Sequence, residues 1–284
     1  MLPSSAPGGR EFHFTEQDFE KVRKLIYDYA GIALSPTKHD MVYGRLARRL
    51  RALGLSTFQQ YLQILERGNS KEFELFTNSL TTNLTSFFRE AHHFDMFRQH
   101  LTENKSQGSF SIWCSASSTG EEPYSIAMTV CEAFNTLTPP VTIIATDIDT
   151  NVLATAANGV YNLDRLEKMP ADRARRFFLR GKGDREGQVR VRPELRQMIT
   201  FKPLNLLDKS WALQGPFDIM FCRNVMIYFD KSTQYKILKR FAPLMSENGL
   251  LFAGHSESFL HAADIFRSQG KTVYQLTPGA RVNG

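Results

Sequence analysis

Apolar residues recur at helical spacing through the first eighty positions of the chain, and the spacing shortens beyond about residue 110. Thr15 has the chemistry of an N-cap, and Phe19, Val22, Leu25, Ile26 and Tyr29 share one face of a helix that Gly31 stops. The same period predicts a second helix over Pro36–Leu53 ended by Gly54. A third starts at Ser56 (Phe58, Tyr61, Leu62, Leu65) and stops at Gly68, and a fourth starts at Ser70 with Phe73, Phe76 and Leu80 inward. Short helices in succession without a strand signal predict a small helical domain. Glu90–Leu101 predicts a further helix, and Thr102–Gly108 is a polar linker. From Phe110 onward apolar runs of strand length alternate with helical ones, the sign of a parallel sheet. The strands fall at Phe110–Ser115, Val141–Ala145, Ile199–Leu204, Phe217–Cys222, Gly249–Ala253 and Thr272–Leu276. Helices run from Thr150 to about Asn158-Gly159 and over Lys231–Met245.

Tyr161–Arg196 breaks this alternation. Ala171–Leu179 has a helical pattern, and RGKGDREGQVRVRPELR then predicts a hairpin or small antiparallel sheet, with turn glycines at Gly181, Gly183 and Gly187 and alternation over Gln188–Arg192. RGKGDREG lacks the Ser/Thr and the following helix of a phosphate loop, so it reads as a turn. Residues 1–12, rich in Pro, Gly and Ser, predict a mobile tail. The boundaries are then a helical domain at 12–82, a connecting segment and linker helix at 83–108, and a sheet domain at 109–278 carrying an insertion at about 160–200.

The predicted strands end in polar residues. Phe110–Ile126 reads as a buried strand, a small-residue turn at Ser117-Ser118-Thr119-Gly120, and a helix opening on Glu121-Glu122-Pro123, with acids and a proline where a first turn favours them. There is no G-x-G-x-x-G, and two carboxylates at the helix start would repel a pyrophosphate. They suit a ligand with amino or hydroxyl donors; S-adenosylmethionine, with adenosine at one end and a cationic amino acid at the other, fits. An ordinary strand–helix turn whose acids only cap the helix fits that stretch equally well. Asp147 at the tip of the second strand can accept both hydroxyls of a ribose, and Asn205 and Arg223-Asn224 follow two further strands. One polar strand end is commonplace; four together point to a ligand at that edge of the sheet.

Composition narrows the class. The chain has 284 residues, 42% hydrophobic and 23% charged, with a net charge of +6 that leaves acidic partners open without implying nucleic acid. No apolar run approaches the ~20 residues of a membrane span, and no apolar leader opens the chain. Three scattered cysteines (Cys114, Cys131, Cys222) predict buried packing and a reducing, cytoplasmic setting. On the second helix Val42, Leu46, Leu50 and Leu53 share one side. Lys38, Arg45 and Arg49 share another, flanked by Arg48, which makes either a solvated basic face or a docking stripe for an acidic partner. His92-His93 beside Asp95 reads as a surface pair rather than a metal site. Gly254-His255-Ser256-Glu257 is not G-x-S-x-G and predicts no nucleophile.

TTNLTSFFRE, SSTGEEPYSIA, ATDID, NLL and CRNVMIYF, in this order and at these separations, resemble the chemotaxis receptor methyltransferases, the CheR family, over nearly the whole chain. Ser115-Ala116-Ser117 stands where many members carry a glycine. The resemblance implies a Rossmann-like methyltransferase sheet with an N-terminal all-helical, receptor-docking domain and a small antiparallel β insertion. It implies S-adenosylmethionine as cofactor, S-adenosylhomocysteine as product, and methylation of glutamate side chains on the cytoplasmic part of chemoreceptors. Cofactor contacts carried over fall on Asn83, Thr85, Arg89, Glu122, Asp147, Asn205, Leu206, Arg223 and Asn224. Arg89 and Tyr228 match positions that orient the accepting carboxylate, and Arg45, Arg48, Arg49 and Arg51 would face the receptor. The insertion resembles the subdomain that captures a receptor C-terminal pentapeptide by strand addition. The substrate brings its own nucleophile, so no metal, catalytic cysteine or triad is expected, nor membrane insertion, and the default state is a monomer. A nucleic-acid methyltransferase would share the fold class, but CRNVMIYF lacks the Pro-Pro of base-methylating enzymes. A non-catalytic adaptor would not need Arg89, Tyr228 and every strand-end polar group.

Overall fold

Local capping starts the helices where the sequence pattern does. The computed structural model describes residues 10–280, so the expected tail lies outside the described residues at positions 1–9. Thr15 accepts the Asp18 N–H while the Asp18 carboxylate accepts the Thr15 N–H at 2.9 Å, a reciprocal cap that opens α1 (Glu16–Ala30). Such a cap contributes about 1 kcal/mol. Gly31 closes the helix at φ 69°, a left-handed value that costs glycine nothing. A 3-10 turn over Pro36–Lys38 leads into α2 (His39–Leu53). α3 (Phe58–Glu66) is capped by Thr57, one residue later than expected, and α4 (Ser70–Leu80) by Asn69. Phe19, Val22, Ile26, Val42, Leu46, Leu50, Phe58, Tyr61, Leu62, Leu65, Phe76 and Leu80 are buried. Tyr29 and Leu53 depart from their expected inward faces and are 43% and 40% exposed, each lying in the last turn of its helix. Residues 10–12 are held rather than mobile: Phe12 is buried edge-on to Phe58, and Arg10 pairs with Asp40.

The helical unit runs to Thr82 and takes in Tyr228–Asp230. The Ala33 N–H donates to the Tyr228 carbonyl at 3.0 Å, and the Tyr27 hydroxyl donates to Asp230. The second unit takes Asn83–Ile227 and everything from Lys231 onward.

In that unit α5 (His92–Glu103) precedes β1 (Phe110–Cys114), α6 (Glu121–Phe134), β2 (Val141–Asp147) and α7 (Thr150–Asn158). The insertion follows as β3 (Val160–Asn162), α8 (Ala171–Phe177), β4 (Phe178–Arg180) and β5 (Gln188–Val191). Then come α9 (Pro193–Met198), β6 (Ile199–Pro203), β7 (Phe217–Cys222), α10 (Lys231–Phe241), β8 (Met245–Ala253), β9 (Phe266–Ser268) and β10 (Val273–Leu276). The main sheet has the order β6-β2-β1-β7-β8-β10-β9. From β6 to β8 neighbouring strands are parallel, with Cys114 opposite both Ala145 and Phe221, and β10 joins antiparallel. The chain steps outward from β1 to β2 and β6, then returns to the other side of β1 as β7. At such a reversal the carboxyl ends of the strands open a crevice.

Apolar residues cover both faces. Phe94, Phe97 and Leu101 of α5 and most of α6 pack with Ile112, Ile143, Phe221 and Phe252 in one core. Trp113 on the opposite face of β1 packs with Trp211, Phe217 and Phe241. All three cysteines are buried thiols. The insertion forms a separate antiparallel sheet, β3-β5-β4, whose inward Val189 and Val191 alternate with exposed Gln188 and Arg190. Three expectations change. Pro193–Met198 is helical, because Pro193 sits at a first-turn position and Leu195 turns into the core. The helix from Lys231 ends at Phe241, where Pro243 forces a 3-10 turn over Ala242–Leu244. A short edge strand, Phe266–Ser268, pairs with β10 without having been predicted.

Candidate functional site

The turn after β1 is built to hold a backbone curve open. The Ser115 N–H donates to the Phe221 carbonyl at 2.9 Å and the Ser117 N–H to the Thr146 carbonyl at 2.8 Å, tying the turn to both neighbouring strands. Ser118 has φ 47° and Gly120 φ 101°. A Cβ at Gly120 would stand 2.7 Å from the Tyr161 hydroxyl, so only glycine fits. The Ser117 hydroxyl is fully buried and has no hydrogen-bond partner among the described residues.

At the tip of β2, Asp147 is buried. One of its oxygens accepts the Ser118 N–H at 2.8 Å and the other the Asp149 N–H at 3.0 Å. Burial outweighs those bonds and pushes the Asp147 carboxyl up to about 6. Asn83 donates to Asp149 at 2.9 Å and its carbonyl accepts the Ser118 hydroxyl at 3.4 Å, which brings Asn83 to the same corner. The Leu204 N–H donates to the Asp147 carbonyl at 2.9 Å, placing Asn205 and the buried Leu206 beside it. The Asn205 side chain accepts the Leu207 N–H at 2.9 Å.

The charged centre lies after β7. Arg223, with no side-chain exposure, donates to Glu122 at 2.7 Å, approaches Glu90 at 3.3 Å and donates to the carbonyl of Arg89. Glu122 also receives the Cys114 thiol at 3.4 Å, and burial raises its pKa. Glu121, by contrast, is taken up by Arg165 from the insertion and by the Thr119 hydroxyl; Arg165 also donates to the Thr85 carbonyl at 2.9 Å. Asn224 has φ 59°, and its N–H donates to Glu257 at 2.8 Å. Glu257 collects the Gly254 and Ile227 N–H groups as well, and a Cβ on Gly254 would stand 2.5 Å from the Asn224 side chain. Phe88 and Glu90, at φ 52° and 55°, bracket Arg89, whose guanidinium donates to the Leu84 carbonyl at 3.0 Å. Non-glycine residues in the left-handed region cost about 1–3 kcal/mol each and persist where surroundings over-determine them. Phe88, Glu90, Ser118 and Asn224 all lie in the turns just described.

Asn83, Thr85, Arg89, Glu122, Asp147, Asn205, Leu206, Arg223 and Asn224 thus converge on the carboxyl ends of β1, β2, β6 and β7 or on the segment preceding α5. Tyr228 belongs to the helical unit, where its hydroxyl lies 3.4 Å from the Thr82 carbonyl. The α2 arginines divide. Arg45 donates to the carbonyls of Ser79, Leu80 and Thr81, and Arg49 pairs in parallel with buried Glu72 at 2.8 and 3.0 Å. Arg48 is exposed, and Arg51 makes a surface pair with Glu11. Residues that sequence reasoning missed are Glu90, Glu257, Arg165 and His255. His93, expected at the surface, is buried against Lys271, 178 positions away, and burial lowers its pKa to about 4. Among the described residues no group of three or more His, Cys, Asp or Glu side chains is arranged to hold a metal, and no helix is long and apolar enough to cross a membrane.

Two family models match the chain: "CheR methyltransferase, SAM binding domain" over residues 83–275 and "CheR methyltransferase, all-alpha domain" over residues 17–81. Chemotaxis protein methyltransferase 2 of Pseudomonas aeruginosa is 50% identical over 281 residues, covering 96% of this chain and 99% of its own. The chemotaxis protein methyltransferases of Escherichia coli and Salmonella typhimurium are each 50% identical, over 93% and 97% of this chain and 92% and 99% of theirs.

Proposed function

We propose that this chain, which belongs to the CheR methyltransferase family, methylates glutamate side chains of chemoreceptor cytoplasmic domains at the strand-end rim of its sheet. The observation that carries this reading is the convergence of Glu122, Asp147, Arg223 and Asn224 where the strand order reverses. The residues fit S-adenosylmethionine. Among the described residues the buried Ser117 hydroxyl has no partner, and the Glu122 carboxylate stands at the start of α6 against one arm of Arg223, where an ammonium group can join it. When bound, that cofactor would supply a sulfonium methyl group: the O–CH3 bond to the carboxylate forms as the S–CH3 bond breaks, giving the methyl ester and the neutral thioether S-adenosylhomocysteine.

Each Asp147 oxygen keeps a lone pair beyond its backbone N–H and can accept a ribose hydroxyl. Glu122 and Ser117 take the amino-acid end, and Asn83, Thr85, Asn205, Leu206, Arg223 and Asn224 complete the cradle. Among the described residues the Arg89 guanidinium donates only to the Leu84 carbonyl, which leaves most of its planar fork to hold the accepting carboxylate, with Tyr228 on the other oxygen. Contact at Arg89 stays partial, because full engagement would stabilise the ground state as much as the transition state. No group in the chain has to attack. Its contribution is alignment, worth at most ~7–11 kcal/mol, and exclusion of water.

Arg48 and Arg51 on α2 meet the acidic receptor surface, while Arg45 and Arg49 hold that helix to α4 and its C-terminal turn. A receptor C-terminal pentapeptide adds as a strand to an edge of the β3-β5-β4 sheet. The enzyme works as a cytoplasmic monomer. The test is transfer of tritiated methyl from labelled cofactor to purified receptor cytoplasmic fragments, with and without their last five residues. Base-labile label, reduced by the truncation, is expected. Label on an oligonucleotide instead, or base-stable label, contradicts the reading.

A further inference from the structure

Glu90 is the least expected member of the charged centre. Its side chain is 10% exposed, its backbone is left-handed, and five groups surround its two oxygens. The His255 ring and the Asn224 amide approach one oxygen at 3.0 and 3.3 Å. The His255 N–H, Arg223 and the His93 ring approach the other at 3.0, 3.3 and 3.4 Å. Burial pushes the Glu90 carboxyl up, but His255, Arg223 and Asn224 outweigh it and hold the group at about 2, so it stays charged.

If Arg223 served only to tie β7 to α6, Glu122 alone would suffice, and a second buried carboxylate would add desolvation cost. The arrangement instead sets two carboxylates on opposite arms of one guanidinium. We propose that Glu90 is a positioning residue for the methyl donor: by anchoring one arm of Arg223 at 3.3 Å it fixes the guanidinium whose other arm holds Glu122 at 2.7 Å. Glu122 is thereby held in one orientation toward the donor's ammonium group. Glu90 acts through Arg223 and touches neither substrate nor cofactor. This rests on Glu122 meeting the amino-acid end of the cofactor, as proposed above.

Calorimetry on the full chain separates the outcomes, using S-adenosylhomocysteine and 5′-methylthioadenosine, which lacks the amino-acid end. Glu90→Gln is expected to weaken S-adenosylhomocysteine about tenfold, since a charged hydrogen bond is partly lost, and to leave methylthioadenosine within about twofold. In a Glu122→Gln background the same change should add less than about twofold, because the two residues act on one arginine. Equal losses for both ligands, no loss for S-adenosylhomocysteine, or additive losses in the double variant overturn the proposal. Should Glu90→Gln not fold, Glu90→Asp keeps the charge. Its ratio of the two affinities is then expected within about twofold of the parent, and a ratio as low as that of Glu122→Gln overturns the proposal equally. Glu122→Gln with unchanged S-adenosylhomocysteine affinity would instead remove the underlying reading of the site.

Discussion

The α2 stripe and the strand-end rim are both rich in arginine and carboxylate, yet they handle charge in opposite ways. On α2, Arg49 meets one buried carboxylate, Glu72, which also accepts the Tyr61 hydroxyl at 2.9 Å, and Arg45 caps three carbonyls at the end of α4. Donors and acceptors there come out even. At the rim, Arg223 faces two carboxylates, its Nε has no partner among the described residues, and the Ser117 hydroxyl has none either. A polar set whose groups meet one another holds the fold together; a buried set with an unmet N–H and an unmet hydroxyl is prepared for a ligand.

The sharpest way to break this contrast is to remove a balanced charge. Arg49→Ala strands Glu72 in the core and should lower the unfolding free energy by about 3 kcal/mol, since one partner of a buried pair is lost. Chemical denaturation measures it, and a loss below 1 kcal/mol would erase the distinction. At the rim the cost should appear in function. Arg89→Ala is expected to lower turnover about 100-fold through misalignment and to weaken S-adenosylhomocysteine, with stability little changed. Tyr228→Phe should lower turnover without weakening the cofactor, and normal cofactor affinity in Arg89→Ala would contradict the pairing of roles.

Asp147 sharpens the comparison through pH. Its carboxyl is raised to about 6 by burial, so the folded chain keeps that proton through the window from the ordinary value up to about 6. Its contribution to stability is therefore present at low pH and lost as pH rises through that window. Cofactor affinity should move the other way, because the charged form accepts hydroxyls on both oxygens. Binding of S-adenosylhomocysteine is expected to strengthen as pH rises through about 6. Asp147→Asn should be about tenfold weaker at pH 8 and flat across the window. The smallest effect belongs to exposed Arg48. Arg48→Ala should change receptor-fragment methylation about twofold at low salt and not at all at high salt, because exposed charges are screened.

Much of the site was legible because its chemistry sits in short local stretches. Polar residues after apolar runs announced the carboxyl ends of β1, β2, β6 and β7, and Gly120 and Pro123 marked the turn and the helix start. What stayed hidden depended on distant partners. Nothing near His93 signals Lys271, and nothing on α2 signals that Glu72 and the α4 carbonyls take up Arg49 and Arg45. Glu90 follows Arg89 directly, yet its meaning lies in Arg223, Asn224 and His255, which only the sheet brings to it. Alternation is expected over Gln188–Arg192 with the hairpin running on through Arg196, whereas the strand ends at Val191 and Pro193 opens a short helix.

A crystal structure of the chain with S-adenosylhomocysteine tests the central claim most directly. The account predicts ribose hydroxyls on Asp147, the ammonium group on Glu122 with Glu90 still on Arg223, and the sulfur facing Arg89. The product bound away from the ends of β1, β2 and β7, or Glu122 remaining closed on Arg223 with no contact to it, would contradict the account.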